Sequence, residues 1–207
     1  MTPRTRRARP GQQGITLVEL LIAMTIMTIL SGMIVMAWIS LQGSYAYSVQ
    51  SADARGTARD TMARMRREIR DAMTQPSTGL EPIVTADSNH IQIMSAFNDV
   101  GGNVQSVDYW YRATSSTTGN ITRKRGSGAE QIVAQNIVNV SSNTPLFKYS
   151  TVNAAGNVVP LSTPVAAADV PMILTVELHI LADVNPGHSP TYMDLVSTVQ
   201  PRNQRQF

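Results

Sequence analysis

Residues 15–39 read ITLVELLIAMTIMTILSGMIVMAWI, and this run decides how the rest of the chain is organised. Nineteen of its 25 residues are apolar; the exceptions are Thr16, Glu19, Thr25, Thr28, Ser31 and Gly32. As a helix rising about 1.5 Å per residue it spans roughly 37 Å, enough to cross a hydrocarbon core of about 30 Å with some tilt. Outward on the N-terminal side, residues 1–14 carry Arg4, Arg6, Arg7 and Arg9 and no acid. A basic cluster there predicts that the N-terminus stays in the cytoplasm, with everything after about Gln42 beyond the membrane.

The chain has 17 basic and 14 acidic side chains, a net charge of +3; after residue 14 the balance is 13 against 14. The basicity therefore belongs to the N-terminal cluster and is no argument for nucleic-acid binding by the remainder. Absence of cysteine excludes a disulfide framework, a thiol nucleophile and a cysteine metal site. A length of 207 residues suits one domain, or one domain plus an appendage.

Two ordinary explanations of the apolar run are weaker than a third. A secretory signal has an apolar stretch of about 7–15 residues, shorter than this one, and only Ser44-Tyr45-Ala46 resembles its cleavage site. A plain membrane anchor leaves Glu19 unexplained. A carboxylate inside an apolar span costs on the order of a few kcal/mol near the bilayer centre, so it needs a partner or a purpose.

Residues 13–24, Gln-Gly-Ile-Thr-Leu-Val-Glu-Leu-Leu-Ile-Ala-Met, resemble the prepilin cleavage and methylation signature. The resemblance implies a cut between Gly14 and Ile15 by a prepilin peptidase, N-methylation of Ile15, and pairing of Glu19 with the N-terminal amine of a neighbouring subunit. Glycine suits the cut, because a protease at the membrane face needs unhindered backbone there. Two positions depart from the family pattern: Gln13, where leaders commonly carry Lys or Arg, and Ile15, where Phe is usual. Partners implied in this way are the peptidase, other pilin or pseudopilin subunits, an inner-membrane assembly platform and membrane lipid, with no cofactor. The expected organisation is a leader (1–14), a transmembrane and filament-core helix (15–40), its amphipathic continuation (41–75) and an extracytoplasmic β-rich domain (76–207).

No proline interrupts residues 15–75, and Gln75-Pro76 predicts the helix stop, giving one helix of roughly 90 Å over 15–74 with Gly32, Gly43 and Gly56 as weak points. Ala58, Met62, Met65, Ile69 and Ala72 recur at helical spacing as a packing stripe. Asp60, Arg64 and Glu68, four apart, are expected to support one another on a polar face. Arg59, Arg64, Arg66, Arg67 and Arg70 are read as a solvated face rather than a nucleic-acid contact.

Beyond Pro76 the pattern turns to strands: Ile91–Ala96, Val107–Arg112, Ile121–Arg125 entered by a turn at Thr118-Gly-Asn, Gln131–Val140, Leu146–Val152, Met172–Leu181 and Tyr192–Val199 after Pro186-Gly187. A long helix followed by consecutive strands predicts a pilin-like α+β fold, with an antiparallel sheet packed on the helix stripe. The order resembles the larger minor subunits, the J-type minor pseudopilins of type II secretion and similar minor pilins, through Tyr109-Trp-Tyr-Arg leading into a basic hairpin and a last strand ending in Gln200-Pro-Arg-Asn.

Other chemistry finds little support. His90, His179 and His188 form no spaced ligand set; Asp183, Asn185, His188 and Asp194 are read as a polar turn, and no metal is expected. Arg123-Lys-Arg125 beside Gly126 is read as a hairpin tip exposing charge. No nucleophile triad or phosphate loop stands out, so the chain is expected to be a substrate of an enzyme and not itself one. The leading function is a minor pilin or pseudopilin precursor that initiates or tips a filament. The alternatives are a monomeric membrane-anchored binding protein and a DNA-uptake minor pilin.

Overall fold

A computed structural model describes residues 15–75, 77–96, 102–185 and 191–202. One helix, α1 (Leu17–Arg70), precedes nine strands: β1 (Ile83–Ala86), β2 (His90–Ser95), β3 (Gln105–Ala113), β4 (Gly119–Arg125), β5 (Gln131–Ile137), β6 (Phe147–Val152), β7 (Val158–Leu161), β8 (Thr175–Asp183) and β9 (Tyr192–Val199). A 3-10 turn at Val170–Met172 leads into β8. All strand pairs are antiparallel, in the order β1-β2-β3-β4-β5-β8-β6-β7 with β9 on β8, so the fold is α+β. The chain divides into two compact units, Met1–Ala46 and Tyr47–Phe207.

In the first unit every described side chain is exposed. The polar ones are satisfied locally. Thr25 Oγ1 donates to the Leu21 and Ile22 carbonyls at 2.8 and 2.9 Å, and Thr28 Oγ1 to Met24 at 2.8 Å. Hydroxyls closed onto their own helix need no water, the condition that a hydrocarbon solvent imposes. The helix continues without a break through Gly32, Gly43 and Gly56.

In the second unit the sheet buries the helix residues Ala58, Met62, Met65 and Ile69, together with Ala72 just past its end. From the sheet come Ile91, Ile93, Val107, Tyr109 and Ile121, then Val176, Leu178 and Ile180, each from alternate positions of a strand. Thr61, on the flank of the stripe, donates to the Val133 carbonyl at 2.6 Å and so holds α1 against β5.

The helix stops at Arg70, before the expected Gln75, because tertiary bonding captures the backbone first: Ala72 N turns to Ile69 O at 3.3 Å and Met73 N donates to Met94 O at 2.9 Å. The turn expected at Thr118-Gly-Asn lies earlier. Thr114 and Ser115 amides both close on Thr118 O, and Gly119 and Asn120 already belong to β4. Gly119 is needed within the strand, since a Cβ there would run into the Tyr111 ring and the Arg112 carbonyl. Sequence patterning missed β1, four residues interrupted by a register shift, and β7, which contains Pro160 and lies at the sheet edge, where a missing N–H is tolerated.

β5 ends at Ile137, earlier than the expected Val140. Asn136, at a φ of 58° that asparagine tolerates, swings Ile137 across to pair with Ala182 of β8. Asn139 then fills the gap between β5 and β6 along β8: its amide nitrogen donates to His179 O at 2.6 Å and its Oδ1 accepts from Leu181 N at 2.8 Å. A side-chain amide stands in there for a strand's backbone.

Candidate functional site

The sequence singles out the N-terminal end of α1. Gly14 lies outside the described residues; Ile15 and Thr16 precede the helix, and Ile15 is exposed. Helix starts leave their first amide donors without intrahelical partners, and Thr16 takes one of them: its Oγ1 accepts from Glu19 N at 3.3 Å, while its carbonyl accepts from Leu20 N at 3.2 Å. Thr16-Leu-Val-Glu19 thus has the Thr-x-x-Glu spacing of a capping box, and Glu19 is the acidic residue of the first turn, where the helix dipole favours negative charge. That spacing was legible in the sequence and went unread. The segment therefore holds a self-capped helix start, an exposed apolar residue before it and a carboxylate one turn in.

Behind this end lies, among the described residues, one helix long and apolar enough to cross a membrane, and its apolar stretch is not buried.

The stripe Ala58, Met62, Met65 and Ile69 lies inside the domain, in the core formed by α1 and the sheet. Beside it stands a polar cluster that the sequence reading placed elsewhere. Glu68 does not join Asp60 and Arg64 on a polar face; it is buried and accepts from Arg123 Nη2 at 2.8 Å and Nε at 3.1 Å, and from Tyr109 Oη at 2.7 Å. Arg123 is correspondingly drawn inward from the expected exposed hairpin tip. The signal was parity: Arg123 follows Ile121 and Tyr109 follows Val107 by two, so both point to the core face, where a cation demands an acid. Burial first, then the adjacent Glu68 carboxylate, push the Tyr109 hydroxyl well above its ordinary value. Burial works against the Arg123 charge, and bonding to Glu68 outweighs it, holding the guanidinium above its usual pKa.

The polar turn read at Asp183 is built by that residue, whose Oδ1 accepts from Asn185 N at 2.9 Å and Thr191 N at 3.3 Å. His188 lies outside the described residues, and Asp194 sits 2.7 Å from His179 Nε2 on the neighbouring strand. Among the described residues no group of three His, Asp or Glu side chains is placed to hold a metal ion.

Residues 9–35 match the family model described as the prokaryotic N-terminal methylation motif. No curated protein and no solved structure matches the chain. The match spans Gly14, Ile15, Thr16 and Glu19, so the self-capped helix start is also the prepilin-type motif, followed by a long apolar helix. That combination is consistent with a type IV pilin-like protein.

Proposed function

We propose that this chain is the precursor of a type IV pilin-like subunit, cut by a prepilin peptidase between Gly14 and Ile15 and anchored in the inner membrane by the apolar half of α1. The observation that carries this reading is the methylation-motif match over residues 9–35, which ends within the helix that has membrane-spanning length and hydropathy. Residues 1–14 face the cytoplasm in this reading and the strand-rich domain lies outside. After processing, Ile15 receives the methyl group, and Glu19 pairs with the terminal amine of a neighbouring subunit in a type IV pilus or type II secretion pseudopilus. A carboxylate and an ammonium brought together in an apolar filament interior satisfy each other, which makes Glu19 a register device rather than a misplaced charge. The chain is a substrate of processing and not an enzyme, and it serves as a minor, initiating or tip subunit.

Intact-mass measurement of the protein extracted from membranes of cells with an active prepilin peptidase tests the reading. Loss of residues 1–14, with or without one methyl on Ile15, is expected. Retention of Met1 through Gly14 in such cells overturns it. Gly14→Val is expected to block the cut by crowding the scissile bond.

A further inference from the structure

We propose that the outer edge of β9, together with the arginine row of α1 beside it, docks an acidic extended segment of another protein, which adds to the sheet as a strand. The inference does not rest on the processing reading, because it holds equally for an uncut, anchored chain.

A sheet edge carries backbone donors and acceptors that template a further strand, and proteins usually blunt such edges with shortness, bulges, proline or lysine. The described edges differ in this respect. β1 is four residues long and has a register shift; β7 is four residues long and contains Pro160. β9 is eight residues long, pairs with β8 along its whole length in unbroken register, and contains neither proline nor lysine. Its one charged side chain, Asp194, lies 2.7 Å from His179 Nε2 of β8. Among the described residues no strand covers its other side. Tyr192 and Val196 stand exposed on it, so apolar contact is available as well as hydrogen bonding.

Charge states what fits. Arg66, Arg67 and Arg70 of α1, Thr198 of β9 and Gln200 just past its end line a groove of about 390 Å³. Arg202 N donates to Arg70 O at 3.0 Å, tying the chain after β9 to the end of α1. Arg59, seven residues before Arg66, extends the row on the same side of the helix. No acid is among the residues lining the groove; Asp71, just outside it, lies 3.8 Å from Arg70 Nε, and Arg67 Nε donates to the Ala63 carbonyl at 3.3 Å, so the row keeps a net positive charge with part of it already engaged. Two copies meeting β9 to β9 would set these rows against each other, so like charge disfavours a symmetric pair and selects a different, acidic partner. No aromatic side chain lines the groove to stack a base, and a strand edge offers a ladder that a polypeptide matches and a phosphate backbone does not.

The test uses the full chain in detergent micelles and an eight-residue peptide alternating glutamate with valine, matched to the length of β9. Binding is expected, with slowed hydrogen exchange at the outward amides of β9. The same peptide N-methylated at alternate residues, and its lysine–valine counterpart, should each bind more weakly by roughly tenfold or more, since each loses backbone or charged hydrogen bonds. Arg66→Glu with Arg70→Glu, both exposed, should transfer the preference to the lysine peptide, with Arg66→Gln and Arg70→Gln as the neutral control for any loss of helix-end stability. Equal binding of the N-methylated peptide would reduce the surface to bare electrostatics and overturn strand addition. Failure of the glutamate peptide while a single-stranded oligonucleotide binds the arginine row would overturn it too. Self-association of the chain that Val196→Lys abolishes would assign the edge to a second copy, and likewise ends the proposal.

Discussion

Arg123 on β4 grips Glu68 on α1 with two parallel bonds, Nη2 to Oε1 at 2.8 Å and Nε to Oε2 at 3.1 Å, and the two side chains are only 12% and 1% exposed. Fork-to-fork geometry of this kind fixes orientation as well as distance, so it sets the rotation of the helix against the sheet.

Removing one member leaves the other charged and dry. Glu68→Gln or Arg123→Met is expected to lower the unfolding free energy of the detergent-solubilised protein by about 3–5 kcal/mol. The paired replacement Glu68→Leu with Arg123→Leu should cost much less than the sum of the singles, though Tyr109 Oη then loses its acceptor. A double-mutant cycle from denaturant curves measures the coupling, and additive losses would show that the pair contributes nothing as a unit.

Alkaline stability follows from Tyr109. Its folded pKa is raised well above 10.0 by burial and by Glu68, whereas in the unfolded chain it titrates near its ordinary value of about 10. The unfolded state therefore loses the proton first. Stability from this group is fully present below about pH 10 and falls as pH rises from there towards the folded pKa. Tyr149, buried against the Asp87 carbonyl, acts in the same direction. Thermal melts through this range, read alongside tyrosinate absorbance, should show unfolding coincident with ionisation; Tyr109→Phe should flatten the dependence.

Glu19 has two separable duties, as an acidic first-turn residue of α1 and as the proposed partner of a neighbour's amine. Glutamine keeps the Thr-x-x-Gln form of the cap and removes the charge. Glu19→Gln is therefore expected to insert, to be processed like the parent and to fail to enter filaments. Thr16→Ala should weaken the helix start by about 1 kcal/mol and leave assembly largely intact. Sheared filaments probed by immunoblot distinguish them, and normal incorporation of Glu19→Gln would remove the charge-pairing role.

Much of this was legible in advance. The apolar run and its glutamate, the stripe from Ala58 to Ile69, and the alternation through Val176, Leu178 and Ile180 are periodic signals, and periodicity reports which side faces a core. What escaped was partner choice. Glu68 sits four residues from Arg64, and sequence spacing favours that neighbour; Arg123, 55 positions away, wins because the sheet brings it into the dry interior. Asn139 escaped for a related reason, since nothing local marks an amide that completes another strand's ladder.

Asn139→Ala consequently has a larger expected effect than a loop asparagine would. It leaves His179 O and Leu181 N short of a partner at a fully buried position, at about 1–3 kcal/mol for each group. Faster amide exchange at Leu181 with an intact far-ultraviolet spectrum is the expected signature.

The same splice makes the sheet mechanically uneven. β8 is joined to β9 by eight register pairs, but to β5 by one, Ile137 with Ala182, helped by Val138 N on Leu181 O and the Asn139 amide. β1 through β5 and β6 through β9 are thus two ribbons that share few ladder bonds and are held together mainly from the side, by Phe147 N on Ser88 O at 2.9 Å, Val165 N on Ala86 O at 2.8 Å, Tyr149 Oη on Asp87 O at 3.0 Å and one common apolar core. Tension along the sheet therefore meets its least backbone bonding at the β5–β8 seam, and resistance there comes from the shared core rather than from a ladder.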